Sequence, residues 1–172
     1  MVDSSIRGLL FAVMGFAWVT SQAATTRIPE DFGIKLDRTA CFGACPVYSV
    51  TIDARGNVTY DGTRFVRIVG RQTDRIPVSR VAALLETVDR IGFFKLEDKY
   101  RQLITDLPTT FVTVTRDGRS KLIEDYFGAP QPLKDLERQI DEAAQTARWI
   151  VGQPSMKLAT PGNGTPFAAS ER

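Results

Sequence analysis

Cys41 and Cys45 are the only cysteines of the 172-residue chain, set three residues apart in Cys41-Phe42-Gly43-Ala44-Cys45-Pro46. Two thiolates at this spacing can exchange disulfides or hold copper(I). The same pair can instead close a small structural loop. A turn through Gly43 brings the two Cα atoms within the span of about 4.4–6.8 Å that a bridge requires. Closing so short a loop stabilises a fold by about 2 kcal/mol through chain entropy. The spacing departs from the Cys-x-x-Cys of the common oxidoreductases. No histidine occurs anywhere. That excludes a Ser-His-Asp triad, a Cys-His protease pair and any His-ligated zinc or haem site.

The remaining candidates are carboxylates and their neighbours. Asp106 and Thr109 lie in the polar stretch Thr105-Asp106-Leu107-Pro108-Thr109, and Asp125-Tyr126 precedes Gly128. If Asp106 and Asp125 converged, they would form an acid–base pair suited to hydrolysis. Asp and Thr also satisfy backbone groups in turns, which is their common use. Asp106, Thr109, Asp125 and Tyr126 are therefore read first as turn residues, with a role in a binding loop as the alternative, and no catalytic residue, metal or cofactor is expected.

Compartment decides between the two readings of the cysteines. Arg7 precedes an apolar run from Gly8 to Val19, and Ser21-Gln22-Ala23 fits a small-x-small cleavage site. This is the pattern of a secretory signal peptide with cleavage after Ala23. The run is shorter than the roughly 20 apolar residues that span a bilayer, so no membrane span is expected after cleavage. Export places the chain in the periplasm or cell envelope, or beyond the cell. Paired cysteines bridge in such oxidising compartments. The formal net charge of +2 gives no strong draw to nucleic acid or anionic membrane.

The elements that must position these residues follow from periodicity. Residues 24–33 read as a linker and 153–172, rich in Pro, Gly, Ser and Thr, as a disordered tail. Between them, residues 34–152 read as one domain. Ile34 to Asp37 and Tyr48 to Asp53 alternate apolar and polar, and Gly56-Asn57 turns into Val58-Thr59-Tyr60. Asp61-Gly62 then leads to a further strand, Phe65 to Val69. Val81, Leu84, Leu85, Val88 and Ile91 fall at helical spacing between Pro77 and Gly92. Phe111 to Thr115 and Lys121 to Ile123 flank Asp117-Gly118, a strong hairpin signal. Leu133, Leu136, Ile140, Ala143, Ala147 and Ile150 form the stripe of a last helix ended by Gly152. The expected fold is α+β: a two-layer domain with an antiparallel sheet of about five or six strands, meander plus hairpin. Two helices lie on one face, with a ββα pseudo-repeat.

Thr39-Ala-Cys-Phe-Gly-Ala-Cys-Pro-Val-Tyr48, Gly92-Phe-Phe, Asp98-Lys-Tyr100, Thr105-Asp-Leu-Pro-Thr109, and Asp125-Tyr126 with Gly128-Ala-Pro130 form an ordered set. With them, residues 34–150 or so resemble a bacterial family known as domain of unknown function 6438. The resemblance implies a single domain with the cysteine loop as a defining feature, and carries over no activity. The functional expectation is a non-enzymatic binding or interaction module that meets an envelope protein or a small ligand. The alternative is a thiol–disulfide or copper(I)-handling protein using Cys41 and Cys45.

Overall fold

The computed structural model describes residues 27–150. The expected signal segment and disordered tail lie outside the described residues. A seven-stranded sheet carries two helices. Its strands are β1 (Gly33–Arg38), β2 (Val47–Asp53), β3 (Asn57–Arg64), β4 (Gly70–Arg75), β5 (Lys99–Tyr100), β6 (Thr110–Arg116) and β7 (Arg119–Asp125). Helix α1 (Val78–Arg90) follows β4, and α2 (Gln131–Ala144) follows β7. The spatial order is β4-β3-β2-β1-β6-β7-β5, so the expected meander forms one half and the expected hairpin docks antiparallel beside β1.

Register explains why one face is buried. Ile34 lies opposite Ile52 on β2 and Val114 on β6, and Leu36 lies opposite Val50 and Val112. Apolar ranks thus run across the strands and meet Val81, Leu84, Leu85 and Val88 of α1 and Leu133, Leu136 and Ile140 of α2 in one core. Full burial of such a side chain stabilises by about 1.5–3 kcal/mol. The other face shows Lys35, Thr51, Thr59 and Thr113, which pair across the same strands toward solvent.

Turn chemistry fixes the hairpins. Asp117 and Gly118 both have positive φ, 50° and 70°, as a primed two-residue turn requires. The Asp31 carboxylate accepts hydrogen bonds from both backbone N–H groups, at 3.0 and 2.7 Å. Its carboxyl is held below the ordinary carboxylate range, chiefly by the Gly118 N–H. Phe32, expected in a linker, is core, so the packed domain begins before residue 34.

Four further expectations are corrected. The sheet has seven strands, not five or six. The fourth strand is the polar Gly70–Arg75, not Phe65 to Val69. The latter segment leaves the sheet: Phe65 has φ 53°, Val66 is buried, and Ile68 N–H bonds to the carbonyl of Trp149. The sheet is not wholly antiparallel, since the short β5 runs parallel to β7. Finally, α2 ends at Gln145, in the left-handed region with φ 55°, rather than at Gly152. A short 3₁₀ turn then brings Trp149 onto the Tyr60 ring, 4.8 Å between centroids.

Candidate functional site

The ends of β1, β3, β5 and β7 and the starts of β2, β4 and β6 lie together at one edge of the domain. Loops 39–46, 65–69, 101–109 and 126–130 leave from this end. Cys41 and Cys45 form a disulfide, with Cα atoms 5.7 Å apart. The closed loop is pinned to its neighbour. Thr39 and Thr109 exchange backbone and side-chain bonds of 2.8–3.1 Å, and Phe42 N–H donates to the Asp106 carbonyl. Tyr126 holds the far side, its hydroxyl donating to the Ile104 carbonyl at 2.7 Å and accepting from Leu107 N–H.

Hydrophobic side chains gather on this scaffold. Among the described residues, nine large apolar side chains are exposed, and seven belong to loops at this end: Phe42, Phe65, Val69, Leu103, Ile104, Leu107 and Phe127. Phe42 is 89% exposed and Leu103 107%, so they stand out as knobs and do not line a hollow. Replacing both cysteines by serine should cost about 2 kcal/mol, as expected for so small a loop. Urea denaturation reads that cost. Alkylation followed by intact mass measurement should block two thiols only after reductant, and modification without reductant would contradict the bridge.

Beneath the loops lies a polar cluster between sheet and α2. Arg38 at the end of β1 donates to Asp141 from Nε at 3.1 Å and Nη2 at 2.7 Å, to the Tyr48 hydroxyl at 3.0 Å, and to Thr110 Oγ1 at 3.2 Å. Tyr48 in turn donates to Asp141 Oδ1 at 2.7 Å. Burial opposes the charge on Arg38, but Asp141 leads a set of acceptors that outweighs it and holds the guanidinium protonated more firmly than usual. Burial, then Asp141, pushes the Tyr48 phenol up. Farther along α2, Lys134 Nζ meets Asp125 Oδ2 at 2.8 Å, and Glu137 Oε2 lies 4.0 Å from Arg38. Burial and then Asp125 push the Glu137 carboxyl up to about 7, against the pull of Arg38 and Lys134.

Cys41, Cys45, Asp106, Thr109 and Tyr126 come together as loop scaffold. Asp106 is exposed, with φ 75° and its carboxylate on the Thr105 hydroxyl. Asp125 is buried and faces Lys134 on α2. The two carboxylates therefore occupy different environments, one in solvent and one under α2. Arg38, Tyr48, Lys134, Glu137 and Asp141 were not expected as site residues, although two signals mark them. Arg38 continues the inward rank of Ile34 and Leu36, and Glu137 falls within the apolar stripe Leu133–Leu136–Ile140.

Fold and loop end together define the class: a small α+β domain in which a disulfide-tied loop caps one end of an open sheet, beside a buried ionic cluster. The chain belongs to the family described as Domain of unknown function (DUF6438), whose sequence model matches residues 32–144. That span includes the cysteine loop, the loops pinned to it and all of α2. No curated protein matches the chain.

Proposed function

We propose that the chain is a non-enzymatic binding module, exported to the periplasm or cell envelope, that meets a partner protein through the loop end of its sheet. The observation that carries this reading is the concentration of exposed apolar side chains there. Scattered single hydrophobics are normal on a surface, whereas a cluster of them marks an interaction site. The occupant is a protein because Phe42 and Leu103 project outward: such knobs fill pockets on a partner and do not enclose a small molecule. The Cys41–Cys45 bridge, the Thr39–Thr109 bonds and the Tyr126 clamp fix the loops beforehand, which lowers the entropy lost on association. The cysteine pair serves as a brace, in keeping with an oxidising compartment.

The test uses the full chain exported by its own N-terminal segment. Phe42→Ser combined with Leu103→Ser should leave stability within about 0.5 kcal/mol of the parent, since neither side chain is packed. A co-purifying protein present with the parent should be lost with the variant. Self-association of the parent that disappears in the variant would replace the partner with a second copy. A small molecule found bound in native mass spectrometry, or a copper(I) adduct after reduction, would overturn the reading.

A further inference from the structure

Asp125 ends β7, and Glu137 lies in the second turn of α2. They are 5% and 6% exposed, yet each keeps one buried carboxyl oxygen, Asp125 Oδ1 and Glu137 Oε1, that receives no hydrogen bond from any described donor. The two side chains converge on the same neighbours. Thr110, the register partner of Asp125, accepts from Arg38 Nη1, which lies 4.0 Å from Glu137 Oε2. Lys134, three residues before Glu137 on α2, donates to Asp125 at 2.8 Å. Two carboxylate oxygens cannot bond to each other, since both only accept. A carboxylic acid and a carboxylate can, through a short and strong O–H···O bond. One proton between them would satisfy both orphaned oxygens at once.

Charge balance points the same way. Arg38 from β1 and Lys134 from α2 face the pair, and the same Arg38 also engages Asp141 of α2, the neutral Tyr48 hydroxyl from β2 and Thr110 from β6. With one proton shared, two cations meet two anions. Without it, a third anion is buried with no cation left to neutralise it, which a poorly solvated site resists.

We propose that Asp125 and Glu137 share a single proton and form a pH-sensitive latch that ties the start of α2 to the end of β7. When the latch opens, the proton leaves for solvent and two carboxylates repel across the contact. The next two residues feel this first: Tyr126 and Phe127 both donate their backbone N–H groups to the Tyr100 carbonyl, at 3.0 and 3.1 Å. The latch stands whether or not the loop end binds a protein.

Raising a carboxyl pKa on folding means that the native state holds a proton the unfolded chain has released. The stabilisation is fully present below the ordinary glutamate value of 4.5 and is lost as pH rises to about 7. Urea unfolding of the full chain over this range tests it. The folding equilibrium constant should fall roughly a hundredfold between pH 4.5 and 7 and then level off. Glu137→Gln, whose amide N–H replaces the shared proton, should flatten that dependence. A flat profile in the parent, or an unchanged slope in the variant, overturns the latch. Should the variant not fold, the Glu137 carboxyl ¹³C resonance of the parent decides: a titration near neutral pH supports the shared proton, and one near 4.5 refutes it.

Discussion

Replacing Asp141 by alanine should cost the domain about 3 kcal/mol, near the lower end of the loss that follows removal of one partner from a buried ion pair. Asp141 accepts four side-chain hydrogen bonds: two from Arg38, one from Tyr48 and one from Thr146 at 2.8 Å. Without it, Arg38 stays wedged between Tyr48 and Thr110, with the nearest described carboxylate, Glu137, 4.0 Å away. The cost is the charge left behind, more than the contact removed. The Arg38 side chain keeps 29% of its exposure, which places the effect at the low end. Thr146→Ala deletes only one of the four bonds and should cost about 1 kcal/mol. Urea midpoints of the two variants, measured side by side, check the difference. Equal and small losses would mean that the cluster contributes little to stability.

Gly56→Ala should destabilise by about 2–4 kcal/mol, combining left-handed strain with a forced displacement of backbone. Gly56 closes the turn between β2 and β3 with φ 81°, a region where an L side chain is strained. A Cβ there would lie 2.3 Å from the Ile76 carbonyl oxygen. That neighbour is backbone and cannot rotate aside. It is also tied in place, because Ile76 N–H donates to the Gly56 carbonyl at 2.8 Å and Ile76 itself is buried. The variant must therefore open the joint between the hairpin and the start of α1. Thermal unfolding reads the loss, and a midpoint within a degree of the parent would contradict it.

Most of the fold is legible in the sequence because half-buried strands and amphipathic helices write their periods directly. Ile34 and Leu36, or Val81, Leu84, Leu85 and Val88, bury one face and reveal it by spacing. Asp117-Gly118 reveals its turn because few other residues accept two positive φ values in succession. The edges are less legible. Strand β4 has one neighbour and a polar sequence, GRQTDR, so nothing apolar marks it, while the apolar segment before it is diverted to meet Trp149. Strand β5 is two residues long and has no period to read.

The site divides along the same line. Loop residues such as Asp106, Thr109 and Tyr126 stand out by type, and the cysteine pair by spacing. The cluster around Arg38 joins residues up to 103 positions apart, through contacts that only the docking of α2 creates. A charge placed on a core-facing rank was the available clue. The exposed apolar end was equally hidden, because Phe42, Leu103 and Phe127 look like ordinary loop residues until topology gathers them.

Site-specific photo-crosslinking of the full chain in its native compartment tests the loop-end interface most directly. A photoreactive residue is placed in turn at Phe42, at Leu103 and, as an exposed apolar control on β7 away from the loops, at Leu122. The expected result is one common protein adduct from positions 42 and 103 and none from 122. Equal labelling from all three positions, or none from 42 and 103 while 122 reacts, would contradict an interface at the loop end.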